Sequence, residues 1–212
     1  ERQVGDRIGE ATTLNTIGSI YSDLGSNQKA LEYHMHSLSI RRDIGDRSGE
    51  AISLGNIGFT YSELGLKQKA LEFYNQALPI LCQKGPRSAE ATALSNIGMV
   101  LMDLGHSWAA IVALKQSVNV LQYLRGEMKG LSKEVRQSYK LQHEGSYKEL
   151  ADALIKQGRL AEAQQVLDLL KDDEYFTFLR SVKAEQVDLT KAESEWKAKY
   201  ESLGDSLAKE AA

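Results

Sequence analysis

Apolar and small residues along the first forty positions recur at helical spacing. Leu14, Ile17, Gly18, Tyr21 and Leu24 fall on one face of a first predicted helix, and Ala30, Tyr33 or His34, Ser37 and Leu38 on one face of a second. Gly25 stands just past the first helix, where a left-handed residue closes a helix, and Asp6 stands ahead of it as an N-cap. The whole pattern then returns. GDRIGEATTLNTIGSIYSDLGSNQKALEYHMHSLSI recurs 40 residues later as GDRSGEAISLGNIGFTYSELGLKQKALEFYNQALPI, pairing Asp6 with Asp46, Tyr21 with Tyr61 and Gly25 with Gly65. A third copy opens at GPRSAEATALSNIGMVLMDLG, with Gly98 and Gly105 in the same frame. Small residues at Gly18, Gly58 and Gly98, and at Ala30, Ala70 and Ala110, let the two helices of each copy approach closely. The prediction is a stack of helical hairpins, each burying its apolar face against its neighbours. Stacks of this kind bind partners rather than catalyse.

A fourth, degenerate copy lies at YKELADALIKQGRLAEAQQVLDLLK, residues 147–171, where Gly158 follows Gly105 by 53 residues rather than 40. Ala151 replaces the packing glycine there, Leu154 the tyrosine, and Ala163 keeps the small position. The 13 inserted residues, around RGEMKGLSKEVRQSYKLQHEG, read as an extended or broken helix. Farther on, Thr190–Glu193 has capping-box spacing. Leu189, Trp196 and Leu203 are seven apart, as are Tyr200 and Leu207, which predicts a terminal amphipathic helix. Its apolar stripe needs a partner: the array itself, a further domain, or a second copy in a dimer. ERQVGDR at the start aligns with RRDIGDR at 41–47, so the chain is expected to open inside a repeat of a longer protein. The expected divisions are a preceding repeat's tail (1–4), three repeats (5–44, 45–84 and 85–124), a helical insert (125–137), a degenerate fourth repeat (138–173) and a helical linker (174–212).

Composition narrows the partners. A formal charge of −3 and a pI near 5.9 argue against nucleic acid and anionic membranes, both of which want a basic face. A single cysteine, Cys82, excludes an internal disulfide framework and fits a reducing cytoplasm. No apolar run approaches the ~18 residues that span a bilayer.

The small residue, the tyrosine three later, the turn glycine and the alanine of the second helix form the tetratricopeptide pattern, stretched to 40 residues. The repeats resemble the GDRxGEA…NIGxxYxxLGxxQKALEYYxQALxI repeats of bacterial signalling proteins. That resemblance implies an all-α, right-handed superhelix (an α-solenoid) with extra C-terminal helices. LRGEMKGLSKEVRQSYKLQHEGSYKELADALIKQGRLAEAQQVLDLLKDDEYFTFLR resembles the stretch ahead of the protease in CHAT-domain proteins, the caspase-like repeat proteins of bacteria. The tail LTKAESEWKAKYESLGDSLAK is similar to their linker. The specific part is 120–207. It implies the regulatory arm of a His–Cys peptidase, relaying partner binding to a downstream protease domain that this sequence does not contain. No residue here inherits a catalytic role. The competing expectation is a free-standing adaptor, similar to spindle-orientation adaptors, holding linear peptides.

Individual residues agree with a binding role. Cys82 has no base nearby and falls on a second helix, so a buried structural thiol is expected. His34, His36, His106 and His143 form no ligand spacing, and the glycine-rich IGDRIGEA follows no strand, so neither metal nor cofactor is expected. In a tetratricopeptide stack the first helices line the concave side. Asn56 and Asn96, with Asn15 and Thr16 in the first repeat, are candidates there for the backbone of a peptide. A second role fits the same amides, that of bonding neighbouring repeats. Ser19, Phe59 and Met99, one turn on, offer a graded apolar patch. Asp23, Glu63 and Asp103 precede each turn glycine, against the helix dipole. Lys29 and Lys69 are the expected salt-bridge partners of the first two, whereas Ala109 leaves Asp103 as a candidate for a basic ligand.

Overall fold

The computed structural model describes residues 2–171 together with Thr190 and Ser194. Among these residues the fold is all-α, of the helical-hairpin solenoid class. Its helices are α1 (Arg2–Asp23), α2 (Asn27–Asp43), α3 (Arg47–Glu63), α4 (Lys67–Lys84), α5 (Arg87–Asp103), α6 (Ser107–Glu127), α7 (Lys133–Lys156) and α8 (Leu160–Lys171). The chain forms two compact units, residues 1–93 and 94–212.

Turn chemistry closes the helices. Gly25, Gly45, Gly65, Gly105 and Gly158 all adopt positive φ, between 71° and 80°. At Gly65 the amide donates to Ser62 (3.0 Å) and the next amide, Leu66, to Tyr61 (2.9 Å), a Schellman closure that satisfies the last carbonyls of α3. Gly85 departs from this. It is extended, with φ −87° and ψ 167°, because Pro86 follows and disfavours helical geometry in the residue before it. Asp46 caps α3, its side chain accepting from the Gly49 amide at 2.9 Å. Asp6, expected to do the same for the first helix, lies inside α1 instead, because that helix runs back to Arg2.

In residues 1–93 each helix packs on the next: α1 on α2, α2 on α3, α3 on α4. Leu31, Leu38, Leu54, Ile57, Ile80 and Leu81 form its apolar core, with Phe73 and Tyr61 at the margin. Full burial of each such aliphatic side chain stabilises by roughly 1.5–3 kcal/mol. Tyr21 stacks on Tyr33 (centroids 5.4 Å apart), and Tyr61 on Phe73 one repeat later (5.3 Å). Leu24, placed by its spacing on the covered face, is 71% exposed. It sits between the end of α1 and the turn glycine Gly25.

In residues 94–212, α6 packs on α7 and α7 on α8. Leu114, Val118, Leu121, Leu150, Leu154 and Val166 are buried. The insert both extends a helix and breaks it. It lengthens α6 to Glu127, makes one 3-10 turn at Met128–Gly130, and begins α7 at Lys133 behind the Ser132 cap. Tyr139, from the inserted stretch, donates to the Leu121 carbonyl (3.0 Å). Lys115 is fully buried and bonds Glu162 (2.8 Å), which Arg159 also grips through two bonds of 2.6 Å. Those contacts hold Glu162 below the usual carboxylate range, the Arg159 hydrogen bond first.

Candidate partner-binding surface

The first helices place the candidate residues about one turn apart, but most of their polar groups already have partners within the protein. The Asn15 carboxamide oxygen accepts from Asn56 Nδ2 (3.1 Å) and lies 2.9 Å from His34 Nδ1. An amide oxygen only accepts, so the His34 proton sits on Nδ1. His34 is 1% exposed and fills the place that Tyr74 fills in the next hairpin. Burial lowers its pKa to about 4, so the ring is neutral. A Cβ at Gly18 would meet this ring at 2.7 Å, as one at Gly58 would meet Tyr74 at 2.9 Å. The packing glycines thus exist to seat these two rings.

Asn15 and Asn56 are 41 residues apart, one more than the repeat period. The same link recurs in the second unit. Ser95 donates to Glu149 Oε2 (2.6 Å) across 54 residues, longer by the 13 of the insertion. Ser95 is one period on from position 55, and the shift of 53 that relates Gly105 to Gly158 carries Asn96 to Glu149. Bonding between neighbouring repeats is the second role expected of these amides, and Asn15 and Asn56 take it; its Ser95–Glu149 counterpart was hidden because Ser and Glu stand where the earlier pair has Asn and Asn. Thr16 and Ser19 turn their hydroxyls onto carbonyls of their own helix, Thr12 (3.0 Å) and Asn15 (3.2 Å).

The apolar positions of the candidate set stand open. Phe59 on α3 is 44% exposed. On the second unit Met99 is 46% exposed, with Asn96 half-buried and Asp103 exposed on the same helix. The expected lysine salt bridges to Asp23 and Glu63 are replaced by another contact. Lys29 lies over the Tyr21 ring (5.2 Å) and Lys69 over Tyr61 (5.4 Å), a cation–π arrangement repeated in both hairpins.

Cys82 is exposed rather than buried. It stands where Arg42 stands one repeat earlier, at the solvent edge of the second helix. Arg42 Nε donates to Glu50 (2.9 Å), and the Cys82 thiol donates to Glu90 (3.6 Å). Among the described residues no three His, Cys, Asp or Glu side chains cluster to hold a metal, and no helix is long and apolar enough to cross a membrane.

A polar network joins α2 to its neighbours α1 and α3. Ser37 donates to the Ala11 carbonyl (2.8 Å), which leaves Ser53 to donate to Ser37 (3.1 Å). Arg41 Nε also donates to Ser37 (3.3 Å), while its terminal nitrogens reach Asp46 (2.7 Å) and Thr12 (3.2 Å). A Cβ at Gly49 would fall inside the Arg41 guanidinium. The recurring Gly-Asp-Arg-x-Gly-Glu string is therefore, at 45–50, an arginine clasp between hairpins. The signal was present as Arg41 eight residues ahead of Gly49.

Among the described residues this is an all-α hairpin-repeat protein. The tetratricopeptide repeat family profile matches residues 9–83. Among solved structures, one of nearly identical TPR-like repeats, assigned to a kinesin light chain of Podosopora anserina, is 16% identical. It covers 80% of this chain and 97% of its own, with a TM-score of 0.45. BtubC (BKLC) from P. vanneervenii is 14% identical, covering 90% and 96%, with a TM-score of 0.40. No curated protein matches the chain. Tetratricopeptide repeats typically serve as protein–protein interaction scaffolds, and residues 9–83 are similar to them.

Proposed function

We propose that the chain is a non-catalytic interaction module that holds a protein or peptide partner against the first-helix face of its hairpins. Phe59 carries this reading. It is a large apolar side chain, 44% exposed, on a helix whose core side is already filled by Leu54 and Ile57. One turn before it on α3 is half-buried Asn56, bonded to half-buried Asn15 of α1, the helix that also carries half-buried Ser19 and exposed Thr16. An apolar anchor within a polar surround is the usual make-up of an interaction hot spot. Because Asn15 and Asn56 bond each other, their role toward a partner is to keep the anchor's surroundings rigid and to offer remaining amide donors. Asn96, Met99 and Asp103 are the corresponding candidates on the second unit.

The sequence resemblance of 120–207 supports a regulatory arm of a CHAT-type protease as the setting. Leu189, Trp196, Tyr200, Leu203 and Leu207, the proposed terminal-helix contacts, lie outside the described residues. The test is capture from the native cell extract by the whole chain and by a Phe59→Ala variant, with fold checked by circular dichroism. A partner retained by the parent chain and lost by the folded variant supports the reading. Equal retention removes Phe59 as the anchor.

A further inference from the structure

The insertion adds length that the repeat does not need. Shifted by the 53 residues that relate Gly105 to Gly158, α5 (Arg87–Asp103) answers to residues 140–156. Helix α7 ends there, at Lys156, but begins earlier, at Lys133. Its first two turns, and the 3-10 turn before them, therefore lie outside the repeat. No hairpin of repeat length stacked on this one has a counterpart for them.

That extra length is basic. Residues 128–141 hold Lys129, Lys133, Arg136 and Lys140 against one acid, Glu134, in a chain whose net charge is −3. At 100° per residue Lys133, Arg136 and Lys140 fall within an arc of about 60° on α7, and Glu134 lies about 100° from Lys133. Lys129 and Lys133 are exposed, Arg136 and Lys140 half-buried. None of the four has an ion-pair partner among the described residues, and Arg136 Nε makes no hydrogen bond. Glu144, one turn on from Lys140, is taken by Lys148 at 2.7 Å. Elsewhere the cations are spent within the protein: Arg41 on Asp46, Arg42 and Arg47 on Glu50, Arg87 on Glu90, Lys29 and Lys69 on tyrosine rings. An unpaired row opposes its own helix, because like charges three and four residues apart repel. Carboxylates laid along it reverse that sign.

We propose that the row from Lys129 to Lys140 is a docking site for an acidic helix of a partner protein, with an apolar side chain of that helix covering Leu141, which borders the row and is 66% exposed. A single exposed ion pair contributes little, so the occupant carries several carboxylates. Helical spacing suits it. The cations of α7 recur about every 5 Å along its axis, as carboxylates one turn apart do, whereas same-face residues of an extended strand recur about every 6.6 Å and fall out of step. Four cations in an otherwise acidic chain do not make the broad basic face that nucleic acid or an anionic membrane needs. Phe59 belongs to the other unit, and the proposal does not rest on it.

The test titrates the full chain into a fluorescent helical peptide and reads anisotropy. The peptide is built of alanine and glutamine, with four glutamates at the spacing of the four cations and a leucine beside the last; a second peptide has glutamine for each glutamate. Saturable binding of the first and none of the second is expected. Lys129→Gln/Lys133→Gln should weaken binding at least fivefold. Lys84→Gln/Lys156→Gln, which removes the same charge from two other exposed lysines, should change it less than twofold, as should Phe59→Ala. Glutamine is about as good a helix former as lysine, so these variants keep their helices. The proposal is overturned if the acidic peptide does not bind saturably, or if the glutamine peptide binds equally. It is overturned as well if Lys129→Gln/Lys133→Gln has no effect or only that of the control pair, or if an oligothymidylate or phosphatidylserine–phosphatidylcholine vesicles bind more tightly than the peptide.

Discussion

Gly55 and Gly58 lie three residues apart on α3, yet their substitution by alanine should move stability in opposite directions. Nothing lies within 4 Å of a Cβ at Gly55, so Gly55→Ala gains the helix propensity of alanine, up to about 1 kcal/mol. A Cβ at Gly58 would stand 2.9 Å from the Tyr74 ring and 3.2 Å from the Ala70 carbonyl. Overpacking of this kind costs roughly 1–3 kcal/mol and outweighs the propensity gain. Paired urea melts at one pH decide the signs; a stabilised Gly58→Ala would refute the packing account. His34 makes the second residue-scale prediction. Its pKa falls to about 4 in the folded chain against 6.5 unfolded, so the unfolded state takes up the proton first as pH drops. The stability His34 contributes is whole above pH 6.5 and is lost as pH falls toward 4. Between pH 7.5 and pH 5 the loss is on the order of 2 kcal/mol. His143, lowered by burial as well, acts in the same direction. Comparison with His34→Tyr, which imitates Tyr74, isolates the His34 share: the variant should show a distinctly shallower fall.

Between elements, the clasp at Arg41 supplies the specificity that apolar packing lacks. Its side chain is 8% exposed and that of Asp46 22%, so removing the arginine alone strands a poorly solvated carboxylate. Arg41→Leu is expected to cost about 2–3 kcal/mol, the lower side of the range for breaking buried pairs because Asp46 keeps some water and its cap bond. Adding Gly49→Ala to that variant should return at least half of the loss, since the next junction runs on Leu81 and Ala89. Thermal melts of the single and double variants measure this, and strict additivity would show the two positions to be uncoupled. Helix existence, turn positions and the seating of Gly58 against the second helix were legible because they repeat every 40 residues. The clasp was harder to see, since its parts lie in two different repeats. So was the Asn15–Asn56 bond, which runs one position out of register.

For the molecule as a whole, the net charge of −3 and the apolar character of Phe59 lead to one prediction about binding. Capture of the partner through Phe59 should change little between about 50 and 200 mM salt, a range over which a phosphate-binding interface loses several orders of magnitude in affinity. A steep salt dependence would place the contact on charged groups instead. By itself, the sequence determined the class of fold, the helices and the turn glycines, because those follow from local geometry repeated at a fixed period. It also determined that a binding role is the one to look for. Only the tertiary structure decided which polar residues are spent inside the protein and which are open. Asn15 and Asn56 turned toward each other, Cys82 outward, and Lys29 and Lys69 went to tyrosine rings rather than to acids. Those outcomes depend on which side chains meet across neighbouring hairpins, and the spacing within one hairpin carries no record of that.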